Sequence, residues 1–332
     1  MNCKYLFMRA SNVCLCLIVF LAFMSCTRKH EGKEVRPIRL LYWNIQNGMW
    51  SGQGDNYDAF VKWVNEKRPD ICVWCEGETI YKTGTADPMD PKDRYLESHW
   101  GELAKRYGHD YWYVGGHRDN YPQVITSKYP IKNVARIIGA EPDSVVTHGA
   151  GWAEIKIGSN SLNLVTLHTW PQAYAFRSDN QEISRLEHGG DKYRRMEMEY
   201  ICKHTINSRP GADGQYWVML GDFNARSRVD NATYQYPESD VRFLVHDYIR
   251  DSTPYVDVIA KRFPGQFKTT TGKEARIDFV YCTPPLYKTI VNADVITDAY
   301  TRPVRDPMNL SNFWHPSDHR PIIVDFDLDA NK

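Results

Sequence analysis

Six places in this 332-residue chain bring together side chains that could do chemistry. Asn44 ends an apolar run and opens Trp43-Asn44-Ile45-Gln46-Asn47-Gly48, and Glu76 follows the apolar stretch Ile71–Cys75. His168 ends Leu164-Val165-Thr166-Leu167, and Asp222 and Asn224 follow Val218-Met219-Leu220-Gly221. Asp278 lies at the start of Ile277–Tyr281, and Asp318-His319 precede the last apolar run. Carboxylate and amide oxygens ligate hard cations, and imidazole carries protons near neutral pH. Taken singly, each has a plain structural reading. An acid after a strand is a turn residue or cap, Gly-Asp-x-Asn is a good turn, and a histidine beside a strand is a satisfied core residue. The weight lies in their shared place at strand ends, where rigid backbone converges polar groups on one rim of a sheet.

The elements that must carry them are dense in Ile, Val, Leu and aromatics, which predicts strands covered on at least one face. They are Ile38 to Trp43, Ile71 to Cys75, Gln123 to Ser127, Trp152 to Ile157, Leu162 to His168, Trp217 to Leu220, Ile277 to Tyr281 and Ile322 to Phe326. Tyr57, Phe60, Val61 and Val64 share one helical face, closed by Arg68-Pro69. A second helix is expected from about Tyr193 to Ile206, with Tyr193, Met196, Tyr200 and Ile201 on its apolar face. Stretches 77–95, 170–190 and 227–240 read as long surface loops. Many strands with few helices predict an α/β layered sandwich, two sheets flanked by helices, as one domain over residues 37–328.

The first 26 residues read as a leader rather than fold. Lys4 and Arg9 precede the apolar run Val13–Met24, which is shorter than the ~20 residues of a spanning helix. Ser25-Cys26 resembles the end of a bacterial lipobox, with Cys26 as the lipid-anchored residue, and residues 27–36 as a polar tether. The expected location is outside the cytoplasm, on a bacterial envelope. Lys+Arg 41 balance Asp+Glu 41, and the leader holds two bases and no acid, so the body carries 39 against 41. That net of −2 excludes the bulk positive field of a strong nucleic-acid binder, though not a local basic groove. The 42% hydrophobic content excludes a disordered chain. Cys72 and Cys75 have metal or redox spacing, but no second pair follows. On a strand they point to opposite faces, as buried small apolar residues do.

In order, these segments resemble the endonuclease/exonuclease/phosphatase superfamily, whose fold is like that of deoxyribonuclease I. The matching residues are Trp43-Asn44-Ile45…Gly48, Pro69-Asp70-Ile71…Glu76, Val124-Ile125-Thr126-Ser127-Lys128-Tyr129-Pro130-Ile131 and Val165-Thr166-Leu167-His168-Thr169. They continue with Gly221-Asp222-Phe223-Asn224, Arg276-Ile277-Asp278-Phe279 and Ser317-Asp318-His319-Arg320-Pro321. The resemblance implies a four-layer fold and a hydrolase of phosphate esters that uses Mg²⁺, or Mn²⁺ or Ca²⁺. It implies metal ligands at Glu76, Asn44 and Asp318, with catalytic roles for His319, Asp222, Asn224, His168 and Asp278. His319 would serve as general base or phosphate-binding histidine, and Asp278 would orient its ring. Asp222 would orient water or take its proton, Asn224 would position phosphate, and His168 would help protonate the leaving oxygen. Thr166-Leu167-His168-Thr169 stands where Asn-Thr-His-Leu is common, and Cys75 where Gln often precedes the Glu.

The substrate stays open among nucleic acid, sugar phosphate and lipid headgroup, and phosphodiester hydrolysis is the leading expectation. Arg177, Arg185, Arg194 and Arg195 offer material for a basic groove, but Arg194 and Arg195 fit the solvated face of their helix better. Tyr111-Trp112-Tyr113 and Phe313-Trp314 would suit a lipid substrate if they lay exposed beside the cleft. A phosphomonoesterase, a sphingomyelinase-like lipid phosphodiesterase and a catalytically silent binding lipoprotein are the alternatives. The complete polar set weighs against the silent binder.

Overall fold

Alternation of side chains along the strands decides the layers. Strand β1 (Ile38–Asn44) sends Leu40 and Tyr42 to one side and Leu41 and Trp43 to the other, and all four are buried. A strand buried on both faces must be sandwiched. The computed structural model describes residues 36–94, 97–118, 120–139, 146–171, 190–305 and 313–328. The leader, Cys26, the tether up to residue 35, Arg177 and Arg185 lie outside them.

The first sheet joins β1 to β2 (Ile71–Cys75), β3 (Tyr111–Gly115), β4 (Gln123–Ser127), β11 (Ile290–Val295) and β14 (Ile322–Phe326), in the order β11-β14-β1-β2-β4-β3. The second holds β5 (Ile131–Ile137), β6 (Ala150–Ile157), β7 (Asn160–His168), β8 (Trp217–Asp222), β9 (Val256–Asp257) and β10 (Asp278–Cys282), in the order β5-β6-β7-β8-β10-β9. Each sheet has one parallel pair at its centre, β1 with β2 and β7 with β8, and its other pairs are antiparallel. A small hairpin-like pair, β12 (Val304–Arg305) and β13 (Trp314–His315), stands apart.

The core between the sheets is built from the inward set, including Leu40, Tyr42, Val73, Cys75, Leu164, Val218, Leu220 and Val280. On the outer face of the first sheet, α1 (Asp58–Lys67) and α2 (Glu97–Arg106) cover Trp43, Cys72 and Trp74. Helix α1 buries Phe60, Val61, Trp63 and Val64 and stops at Arg68, whose left-handed φ of 51° precedes Pro69. Each large side chain so buried contributes roughly 1.5–3 kcal/mol. On the second sheet's outer face lie α3 (Gly190–Lys203) and α4 (Leu244–Ser252), over Val165, Leu167, Trp217, Met219 and Phe279. The result is helix, sheet, sheet, helix. Cys72 and Cys75 are free, buried and on opposite faces of β2, as expected.

Helix α3 differs from its expected form. It runs from Gly190 to Lys203, and its buried side holds Arg194, Glu197, Met198, Ile201 and Cys202, while Met196 is 45% exposed. Arg194 is therefore no solvated residue. Its guanidinium donates to Asp191 (2.7 Å) and to the Trp170 carbonyl (2.9 Å), and this pairing makes its burial tolerable. Arg195 stays nearer the surface, bonded to Glu199 and stacked on Tyr248. No helix among the described residues is long and apolar enough to cross a membrane.

Candidate active site

Parity extends the inward set to the chemical residues. Asn44 follows Leu40 and Tyr42 at two-residue steps, Asp222 follows Val218 and Leu220, and Asp278 precedes Val280 and Cys282. His168 lies two steps beyond Leu164 on β7. All four thus face the gap between the sheets. They also reach the same rim, because Asn44 pairs with Cys75 while Asp222 pairs with both His168 and Asp278. The two parallel pairs end here side by side.

Local turns then aim the remaining groups. Glu76 leaves β2 with φ of 57°. Its Oε2 accepts the Asn47 amide N–H (2.9 Å) and its Oε1 accepts from Asn44 Nδ2 (3.1 Å). Gly48 lets this loop close. A Cβ there would lie 2.2 Å from Thr79 Oγ1, on a backbone with φ of 67°. In Gly221-Asp222-Phe223-Asn224, Asp222 Oδ1 accepts the Asn224 N–H (2.9 Å), and Asn224 takes φ of 47°, a conformation asparagine tolerates. Asn224 Nδ2 donates to the Thr169 carbonyl (3.2 Å), and Thr169 Oγ1 to the Phe223 carbonyl (2.6 Å), tying this turn to the one after His168. Ser317 fixes the last segment. Its hydroxyl donates to the Asn44 carbonyl (2.7 Å) and accepts from the His319 N–H (3.1 Å).

The side chains meet around Asp222. Its Oδ2 accepts from Asn44 Nδ2 (3.2 Å) and lies 3.8 Å from Nε2 of both His168 and His319. His319 Nδ1 lies 2.7 Å from Asp278 Oδ2, and Asp278 Oδ1 accepts the Tyr42 hydroxyl at 2.6 Å. Asp318 Oδ1 is 3.7 Å from His319 Nε2. Every residue expected at the site from sequence is therefore brought to this rim.

Electrostatics divides the two imidazoles. Burial works against charge on His319, yet the carboxylates of Asp278, Asp318 and Asp222 outweigh it and raise the pKa well above the usual value. His168 goes the other way, driven well down by burial first and then by its neighbours His148 and His319. One ring is cationic and the other neutral, each 3.8 Å from the same Asp222 oxygen. Asp222 is itself raised by burial and by Asp278.

Whether the donors suit a divalent ion is a question of chemistry and charge. Glu76 and Asp318 offer carboxylate oxygens, as a hard ion requires. Burial and the charge of Asp318 both raise the Glu76 pKa, a repulsion that a bound cation would relieve. Asp222, Asp278 and His319 also cluster within 4.8 Å, a second oxygen-rich group beside the first. The residues fit a divalent cation.

Sequence reading missed three contributors. Tyr42 anchors Asp278 from two residues before Asn44, a spacing that could have flagged it. Asn47 holds Glu76 through its main chain, which no side-chain pattern reveals. His148 stacks on His168 with centroids 4.3 Å apart, although it lies far from it in sequence. The aromatic expectation also needs correction. Gly115 of β3, paired with Gln123, lies toward the site, so Tyr111 and Trp112 sit at the far end of their strand. Phe313 does lie near the rim, packed on Trp50 and Tyr81, and the Trp314 N–H donates to Gln46. A separate cavity of about 500 Å³, lined by Tyr255, Val256, Phe263 and Tyr281 among others, contains none of the site residues.

Comparison with known proteins agrees with this fold. The profile of the Endonuclease/Exonuclease/phosphatase family matches residues 41–319. No curated protein matches the chain by sequence. Among solved structures, an AP endonuclease from Archaeoglobus fulgidus is similar with a TM-score of 0.58 and 18% identity, over 88% of this chain and 100% of that one. The 3′ phosphatase NExo from Neisseria, bound to a product DNA hairpin, gives a TM-score of 0.57 and 18% identity over 87% and 99%. The human Nocturnin catalytic domain gives 0.55 and 13% over 88% and 93%. At these identities the structures bear on fold alone, that of a deoxyribonuclease I-like α/β sandwich. The family profile spans most of the chain, and the chain belongs to the endonuclease/exonuclease/phosphatase family of metal-dependent phosphoesterases.

Proposed function

We propose that this protein is a phosphodiesterase that hydrolyses its substrate by in-line attack of water. The observation that carries the reading is the convergence of two histidines on Asp222, each with its Nε2 3.8 Å from Oδ2. Such an array joins a carboxylate that can orient water with one cationic and one neutral imidazole. These are the groups that a displacement at phosphorus uses for the entering water, the phosphate charge and the departing oxygen. Glu76 and Asp318 would hold a divalent cation, Mg²⁺ or Mn²⁺, which would neutralise phosphate charge when bound. Asn44, expected from sequence as a ligand, turns its Nδ2 to Glu76 and Asp222 and its Oδ1 to the Gln46 N–H, and so orients those carboxylates instead.

The chain's own groups supply the rest. His319, kept cationic by Asp278 at 2.7 Å, binds a non-bridging phosphate oxygen. Asp222 orients the water and takes its proton as oxygen bonds to phosphorus. Asn224, in its left-handed turn, positions the phosphate, and His168 hydrogen-bonds the leaving oxygen as its bond to phosphorus breaks. A test compares bis(4-nitrophenyl) phosphate with 4-nitrophenyl phosphate under Mg²⁺ or Mn²⁺. The diester should turn over at least tenfold faster by kcat/KM. A monoester preference would replace this reading with a phosphomonoesterase.

The leader supports a second, independent reading: lipid attachment at Cys26 on a bacterial envelope. It rests on the sequence Phe23-Met24-Ser25-Cys26 after a short apolar run. Palmitate labelling in cells should mark the protein, and Cys26→Ala should abolish the label. Equal labelling of both would refute the anchor.

A further inference from the structure

One histidine on the cleft side, the neighbour of His168, makes no contact with substrate in the chemistry just described. His148 is 5% exposed, and its ring stacks on His168 at 4.3 Å between centroids and 31° between planes. Geometry fixes where its proton sits. Nδ1 lies 3.2 Å from the Asn120 main-chain oxygen and 3.1 Å from Asn120 Oδ1. A carbonyl oxygen only accepts, and the Asn120 amide is oriented because its Nδ2 donates to the Thr147 carbonyl at 3.0 Å. Nδ1 therefore carries the hydrogen and Nε2 carries a lone pair. Burial, first among the causes, lowers the pKa to about 4, so the ring is neutral at pH 7. Among the described residues Nε2 has no hydrogen-bond partner, nor is it among the side-chain atoms sealed from solvent without one.

The ring is also firmly held. Glu197 of α3 accepts the Thr147 N–H (2.7 Å) and the Trp170 N–H (2.9 Å), so one buried carboxylate ties the loop before His148 to the loop after His168. The Tyr121 ring closes the outer side, 5.2 Å from His148 and 6.5 Å from His168. The arrangement holds the His148 ring, with its free acceptor, directly against the His168 imidazole.

We propose that His148 reads the alcohol side of the scissile phosphate, its Nε2 accepting a hydrogen bond from a hydroxyl next to the scissile oxygen. A bare lone pair repels phosphate oxygens, so its partner is a donor on the leaving group. The site then favours phosphate esters of polyols and sugars over esters of plain alkyl alcohols. This rests on the phosphoesterase reading, with His168 on the leaving side.

The test uses competitive inhibition of bis(4-nitrophenyl) phosphate hydrolysis by the full chain in detergent, with glycerol 3-phosphate and propyl phosphate as inhibitors. Glycerol 3-phosphate should bind about three- to tenfold more tightly, the worth of one neutral hydrogen bond. His148→Phe keeps a stacked ring without an acceptor, and should erase that ratio while leaving the propyl phosphate constant within about twofold. His148→Gln restores an acceptor and should recover part of the ratio. Equal inhibition in the wild type, a ratio that survives His148→Phe, or a parallel rise of both constants would overturn the proposal. Absence of diester turnover by the wild type under any divalent metal would instead sink the phosphoesterase reading, and this inference with it.

Discussion

Replacing Asp278 with Asn tests how this site keeps His319 charged. The carboxylate is buried, and it takes the His319 Nδ1–H on one oxygen at 2.7 Å and the Tyr42 hydroxyl on the other at 2.6 Å. An amide keeps the size but has a single acceptor. If its oxygen keeps Tyr42, its NH₂ faces the His319 N–H. The ring must then lose that proton or turn its tautomer, and either change removes the charge-assisted bond. Such bonds are worth about 1.5–3 kcal/mol, so kcat should fall roughly 10- to 150-fold. The assay is steady-state hydrolysis of bis(4-nitrophenyl) phosphate with Mg²⁺, beside thermal unfolding. Tyr42→Phe is the control. It leaves Asp278 Oδ1 without that bond but keeps the His319 pairing, so it should cost stability more than turnover. An Asp278→Asn enzyme within threefold of wild-type kcat would refute the role given to this pair.

Other sites give sharper stability tests. In Gly221→Ala, the new Cβ would lie 2.0 Å from the Leu167 carbonyl oxygen across the parallel β7–β8 ladder. The variant should lose about 3 kcal/mol or more, several degrees in Tm, and an unchanged Tm would contradict the packing. Burial pushes the Glu197 carboxyl up to about 7 from a usual 4.5, although two main-chain N–H groups pull it down. Because the folded pKa is the higher one, its stabilisation is complete below about pH 4.5 and is lost as pH rises through about 7, a swing of about 3 kcal/mol. Urea unfolding across pH 4.5 to 8 should show that swing in the difference between wild type and Glu197→Gln. Parallel curves for the two proteins would exclude it.

Much of the architecture was legible because strands buried on both faces concentrate apolar residues. Ile71–Cys75, Gln123–Ser127 and Ile322–Phe326 are strands with the expected bounds. Strands that escaped notice lie at edges. In β5, residues 132–136 are exposed, so Ile131–Ile137 has no dense apolar signature. Helix α3 departs from its expected form for the opposite reason: Arg194 looks solvated in sequence but pairs with Asp191 in the interior, beside Glu197, which accepts two main-chain N–H groups. The polar residues at strand ends were legible one by one, and their convergence followed from strand parity. What sequence could not supply was contact between distant segments. Asp222 paired with Asp278 and His148 set against His168 arise from strand neighbours within the second sheet, and Tyr42 bonded to Asp278 requires the two sheets to meet.

The central claim is that Glu76 and His319 belong to one metal-dependent phosphoesterase centre. The most direct measurement is release of nitrophenol from bis(4-nitrophenyl) phosphate by the full chain in detergent, with and without Mg²⁺ or Mn²⁺. Wild type, Glu76→Ala and His319→Ala would be compared. The expected result is turnover that needs the metal and falls at least about a hundredfold in each variant. Turnover indifferent to metal, or undiminished in either variant, would contradict the account.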